Sequence, residues 1–382
     1  MKIALLSEKY TPDLGGLAIS TERLARLLTS AGHAVRVFAP TSSLLPSEQR
    51  TLPSGGGLVT RFGAHKRVDD TLVDWFELIT AEHRREPFDL LHAYFLPQAG
   101  FVAAYTGKYL NLPSVISIRG NDVERAAFDP ARFSHVMYAL QNASAVTTNA
   151  SELVKKAKAF FNREVYLIPN GIDTEHFKPM ERKEALAEAI GLGGKKKEER
   201  RAVIGFAGEL REKKGLRALL YGYAQVNRTR PSTLLIVGEV REGEDKKFFE
   251  EFRTSIPDSR IIVTGSVPHK DMPAYYALMN AFVHPSLRDG MPNALLEAMA
   301  CGLPVVVTPV GGAADVIRDG KNGLMIPVND AEAISQAIRK ILDDESLRRK
   351  LAANARHTIC ERFTPEKELE ANLAVYHRLE GK

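Results

Sequence analysis

The sequence has little of what marks secreted, membrane-spanning or metal-clustering proteins. Of its 382 residues only two are cysteines, Cys301 and Cys360, which form neither a disulfide framework nor a ligand cluster and point to a reducing cytoplasm. No apolar run is long enough to span a bilayer, and the opening Met1 to Leu6 meets charge at Glu8, so it reads as a first strand and not as a signal peptide. There is no Asp-x-Asp pair and no His/Cys cluster to hold a metal ion. The first glycine-bearing loop lacks G-x-G-x-x-G, which argues against a nicotinamide site. Basic residues exceed acidic ones by only five, 52 against 47. The densest basic run, Lys195-Lys196-Lys197 with Arg200-Arg201, has no interleaved aromatics, which speaks against nucleic acid as a partner. It reads as a solvated loop, with attraction to anionic lipid or an acidic acceptor as the alternative.

What is present is an alternation of β-branched runs and helix formers, in a chain whose length suits two domains of roughly 150 to 200 residues each. Strands are expected at Ile3 to Leu6, Val35 to Ala39, Asp89 to Tyr94, Val115 to Ile118, Ala143 to Thr147 and Val165 to Ile168. In the second half they are expected at Ala202 to Ala207, Thr233 to Val237, Arg260 to Thr264 and Val305 to Thr308. Helices fall between several of them: one capped by Ser20 or Thr21 with an apolar face of Leu24, Leu27 and Leu28, then Ser151 to Phe161 and Leu216 to Val226. Alternating strands and helices with glycines at strand ends imply α/β architecture, two doubly wound parallel sheets with a cleft between them.

The most informative stretch runs from His284 to Gly312. It holds a carboxylate, Asp289, then the Gly290-Met291-Pro292-Asn293 turn, a run of helix formers from Ala294 to Ala300, and Gly302 suited to end the helix. A loop that enters a helix and returns to a parallel strand is where doubly wound sheets hold anions. Glu297 is the single charge in that helix and shares a face with Asn293, Ala300 and Cys301. Periodicity leaves two readings open, an exposed face or a carboxylate that accepts hydroxyl hydrogen bonds from a ribose or sugar.

Asp289, seven residues, Glu297 and then Ala-Met-Ala-Cys-Gly-Leu-Pro-Val resembles the donor-binding segment of the family 4 retaining glycosyltransferases with the two-domain GT-B fold. Three further segments carry the resemblance: Gly15-Gly16, Pro169-Asn170-Gly171-Ile172-Asp173, and the loop Gly208 to Gly215. It implies a nucleoside diphosphate sugar as substrate, no cofactor, metal-independent chemistry, and an acceptor that is a sugar, a lipid or a small molecule. Gly15 and Gly16 would let the first loop approach the donor phosphates, Lys214 would meet the diphosphate, and the backbone around Val267 would read the base. Asp289 would serve the sugar and the anomeric centre, Glu297 the ribose, and the amides of Gly290 to Asn293 the leaving group. The Pro-Asn-Gly-x-Asp segment marks the domain crossing, giving an acceptor-side domain over 1–172, a nucleotide-sugar domain over 173–362 and a helix over 363–382 that returns to the first.

Three residues depart from the family pattern. Asp289 is one methylene shorter than the usual Glu, Arg119 stands where a histidine is usual, and Glu209 replaces an arginine. Arg119 is a permanent cation, which contacts an anion if it faces the cleft and is an ordinary ion-pair partner if it does not. Glu209 must point away from a diphosphate or pair with a cation such as Arg211, which is expected to replace the missing arginine as a phosphate ligand. These departures keep two other readings open: a catalytically silent sugar-nucleotide-binding partner subunit, and a sugar-nucleotide epimerase of the same fold. His92, at a strand end, is expected to be structural. Peripheral membrane contact at the inner face is a further expectation.

Overall fold

The computed structural model describes every residue except Leu14, Gly56, Asn121, 124–127, 194–200, 257–258 and 381–382. The Lys195 to Lys197 run and Arg200 lie outside the described residues, as does Asn121 of the Arg119-Asp122 segment. The chain divides into two compact units, Met1–Gly171 with Pro365–Lys382, and Ile172–Thr364.

The first unit is built on an eight-stranded sheet. Its strands are β1 (Lys2–Ser7), β2 (Ala34–Thr41), β3 (Gln49–Ser54), β4 (Gly57–Gly63), β5 (Leu90–Tyr94), β6 (Ser114–Ile118), β7 (Ala145–Thr148) and β8 (Val165–Leu167). They lie in the order β3-β4-β2-β1-β5-β6-β7-β8, parallel throughout except β3, which pairs antiparallel with β4. Strands β1, β5 and β6 are buried on both faces, so they are mostly apolar, and the polar side chains His92 and Ser117 within them bond each other.

One expectation for this unit needs correction. The first helix spans Gly16–Ser30, with Gly15 at its N-cap, so Ser20 and Thr21 lie inside it. The Thr21 hydroxyl bonds back to the Leu17 carbonyl at 2.8 Å and meets Ser7 Oγ at 3.0 Å, so it serves packing against β1 and not capping. In the C-terminal helix Pro365–Glu380 the buried positions are Glu368, Asn372, Val375 and Tyr376, with Leu369 and Leu373 partly buried against the same core. Glu368 is inward because Arg23 Nε donates to it at 2.7 Å, with Tyr94 Oη and the Gly171 amide as further donors. A buried carboxylate is tolerable when so fully paired.

The second unit carries a wholly parallel six-stranded sheet. Its strands are β9 (Ala202–Ala207), β10 (Ser232–Val237), β11 (Arg260–Val263), β12 (Ala281–His284), β13 (Val305–Val307) and β14 (Leu324–Met325), in the order β11-β10-β9-β12-β13-β14. The chain runs outward from β9 through β10 to β11, then returns to lay β12 on the other side of β9. Strand order therefore reverses between β9 and β12, and the loops leaving those two strands become neighbours at the carboxyl edge of the sheet.

Candidate active site

The loop after β9 and the loop after β12 meet across that reversal. The Leu287 amide donates to the Lys213 carbonyl at 2.9 Å. Gly215 sits at φ 79°, and a Cβ there would lie 2.1 Å from the Pro285 carbonyl oxygen, so only glycine lets the two backbones come this close. Gly311 closes the other side: a Cβ would lie 2.2 Å from the Asp289 carbonyl oxygen. The Gly312 amide donates to the Gly290 carbonyl at 2.7 Å, pinning the turn that precedes helix Asn293–Ala300.

Asp289 is thereby held among donors. The Lys214 ammonium pairs with its Oδ2, His284 Nε2 donates to the same oxygen at 3.1 Å, and the Ser286 hydroxyl reaches it at 3.4 Å. Oδ1 accepts the Gly290 amide at 3.0 Å. Burial pushes the carboxyl toward its neutral form, but the Lys214 charge and the His284 hydrogen bond outweigh it and hold the group far below the ordinary carboxylate range. His284 ends β12 fully enclosed. Burial holds its imidazole below the usual value despite Asp289, so it donates as the neutral ring from Nε2 while Nδ1 has no partner.

Glu297 forms a second cluster. Its side chain is only 6% exposed, which removes the exposed-face reading. The Tyr276 hydroxyl donates to Oε2 at 2.8 Å and His269 Nε2 meets Oε1 at 2.9 Å. A carboxylate has about four acceptor sites, so two internal partners leave capacity for hydroxyls. Val267 packs against the core of this unit, two residues before His269.

Other candidate residues are placed differently. Arg211 pairs with Glu209 at 3.1 Å, which answers the charge of the carboxylate standing in the arginine position. Gly15, Gly16 and Arg119 belong to the other unit. Arg119 lies over the Tyr94 ring at 4.2 Å and donates to the Asn170 side chain, so its partners there are an aromatic face and an amide, not a carboxylate. His92 is fully buried between the Tyr376 hydroxyl at 2.6 Å and Ser117 Oγ at 2.8 Å. Burial, with Arg119 adding to it, pushes its imidazole down to about 3, so it stays neutral, as a structural histidine should.

Comparison with known proteins bears on the family and the fold. The profile described as Glycosyltransferase Family 4 matches residues 14–176, and the one described as Glycosyl transferases group 1 matches residues 193–358. The chain belongs to the family 4, group 1 glycosyltransferases. Among its relatives, a GDP-mannose-dependent alpha-mannosyltransferase of Corynebacterium glutamicum is 26% identical over 90% of this chain and 81% of its own length. Among solved structures, sucrose-phosphate synthase from Thermosynechococcus elongatus superposes with a TM-score of 0.84 at 22% identity, covering 100% of this chain and 99% of the other. HepE of Anabaena, crystallised with UDP-glucose, gives 0.79 at 19% identity over 98% and 99%. These likenesses establish the GT-B fold for this glycosyltransferase.

Sequence reasoning passed over His284, Ser286, Tyr276 and His269 as site residues of the glycosyltransferase. His284 and Ser286 lie inside the matched stretch, five and three residues before Asp289, and that proximity was the available signal. Tyr276 read as core, and its ring is buried; its hydroxyl nonetheless serves Glu297. Among the described residues no group of three or more His, Cys, Asp or Glu could hold a metal ion, and no helix is long and apolar enough to cross a membrane.

Proposed function

We propose that this glycosyltransferase moves a hexose from a nucleoside diphosphate sugar to an acceptor hydroxyl, with retention at the anomeric carbon and without a metal ion. The observation that carries the reading is the ionised Asp289, clamped by Lys214, His284 and Ser286 where strand order reverses. In the reaction the bond between the anomeric carbon and the diphosphate oxygen breaks, and that oxygen keeps the electron pair. The acceptor oxygen bonds to the same face, and its proton passes to the departing phosphate. Charge develops on the leaving group, which Lys214, Arg211 and the amides of Met291 and Asn293 in the Gly290 to Asn293 turn would stabilise. Asp289 would hold sugar hydroxyls and support positive charge at the anomeric centre. Glu297, braced by Tyr276 and His269, would accept the ribose hydroxyls. Base recognition around Val267, and the roles of Gly15, Gly16 and Arg119, rest on the family resemblance alone.

The relative named for GDP-mannose and the fold neighbour crystallised with UDP-glucose make those two donors the first to test. Purified protein is incubated with GDP-mannose, UDP-glucose, UDP-N-acetylglucosamine and ADP-glucose, with and without sugar and lipid acceptors, in the presence of chelator. The reading expects free nucleoside diphosphate and a product whose anomeric proton coupling matches the donor's. Return of an altered nucleotide sugar would identify an epimerase, and binding without turnover a silent partner. A cytoplasmic protein with peripheral contact at the inner membrane face fits a lipid acceptor; cosedimentation with anionic vesicles tests that part.

A further inference from the structure

The four cations at the meeting of the two loops are not equivalent. Arg211 is answered by Glu209 and Lys214 by Asp289. Among the described residues, neither Lys213 Nζ nor the Arg288 guanidinium has a hydrogen-bond or ion-pair partner. The backbone bond from Leu287 to Lys213 sets these two residues on adjacent loops, and each is the immediate neighbour in sequence of a paired residue, Lys214 and Asp289. Once the two pairs cancel, the loop junction keeps two uncompensated positive charges. A sugar diphosphate diester carries one negative charge on each of its two phosphates.

We propose that Lys213 and Arg288, which lie outside the family's phosphate-binding pattern, add to Lys214 the counter-charge for the donor diphosphate. The inference rests on the nucleoside diphosphate sugar reading above and assigns residues within it. It explains how the site tolerates Glu209: the arginine that Glu209 replaces is compensated from the other loop by Arg288. The electrostatics agree. Burial draws the Lys213 amine down to about 8; Asp289 opposes this, while Lys214, Arg211 and Arg288 add to it. An amine so placed regains its proton fully when an anion arrives.

The test is titration calorimetry of the full chain with GDP, UDP and inorganic pyrophosphate, and with guanosine and uridine as uncharged controls. Lys213→Met and Arg288→Met should each weaken diphosphate binding about tenfold and leave nucleoside binding unchanged, since each removes one charge-assisted contact. Wild-type affinity for the diphosphate should fall by up to about tenfold between pH 7 and pH 9, as the amine loses its proton in the free protein first. Lys213→Arg should keep the affinity and abolish that pH dependence, because a guanidinium does not titrate there. Undiminished diphosphate affinity in both methionine variants, or an unchanged pH profile in Lys213→Arg, overturns the inference and leaves the donor reading standing. A wild type that binds neither nucleotide nor pyrophosphate overturns both.

Discussion

Replacing Asp289 by Asn keeps the side chain's shape and removes its charge, leaving the Lys214 ammonium without a counterion. Both side chains are partly shielded, 15% and 21% exposed. Unit charges about 4 Å apart interact by roughly 4 kcal/mol at an effective dielectric near 20, and partial exposure reduces this by about half. The expected loss is therefore about 2 kcal/mol. In a unit of the size of Ile172–Thr364 that corresponds to a melting point lower by about 4–8 °C. The assay is a double-mutant cycle of Asp289→Asn and Lys214→Met, followed by thermal unfolding, with donor turnover measured in parallel. The two substitutions should couple by about 2 kcal/mol, and Asp289→Asn should lower kcat by about 10²-fold with little change in donor affinity. Strictly additive effects on stability, or a kcat within a factor of a few of wild type, would refute the reasoning that this pair holds the carboxylate for the chemistry.

The same structure makes other outcomes definite. Glu297→Ala leaves the buried Tyr276 hydroxyl with only a long bond to the Ala294 carbonyl at 3.4 Å, at a stability cost of about 1–3 kcal/mol, and should weaken nucleoside diphosphate binding; the 2′-deoxynucleotide, which offers one hydroxyl fewer, should lose less in the variant than in the wild type. Gly215→Ala combines a left-handed backbone with a 2.1 Å clash on the Pro285 carbonyl, so it should push the two loops apart and lower donor turnover more than it lowers the melting point. Glu8, with Gln98 donating its amide, is pushed up to about 7 by burial, with Asp122 adding to the rise. Because the folded state prefers the protonated acid, its stability is fully present below the unfolded value near 4.5 and declines as pH rises toward 7. Glu8→Gln should thus raise the melting point at pH 8 and leave it unchanged at pH 4, which unfolding curves at the two pH values will show.

Strands rich in apolar residues were mostly legible, but β3 and β4, which mix polar residues with glycine or proline, and the four-residue β12 were not expected. Ala202 to Ala207 matches β9 residue for residue, and the Val305 run gives β13. Helix Phe101–Leu110 was not legible, since it is apolar on nearly every side and leaves no stripe to count. Helix Gly16–Ser30 was placed too late because its cap is a glycine, where hydroxyl chemistry gives no signal. In the site, Asp289 and Glu297 stand out by motif, yet the partners of each do not. Lys214 and Asp289 are 75 residues apart, and only the strand order β9-β12 brings them together. Periodicity reports that Tyr276 is buried; it cannot report where the single polar atom of that ring finds its bond. The departure at Glu209 was legible as a conflict of charge, and its resolution through Arg211 follows from the same electrostatics.

The most direct measurement is a crystal structure with GDP-mannose or UDP-glucose bound to the Asp289→Asn protein, in which turnover is slow enough to trap the donor. The account predicts the diphosphate at the junction of the β9 and β12 loops, within hydrogen-bond distance of the Met291 and Asn293 amides and of basic side chains from both loops, with the ribose on Glu297. A donor seated away from that junction, with Glu297 still bonded only to Tyr276 and His269, would contradict it.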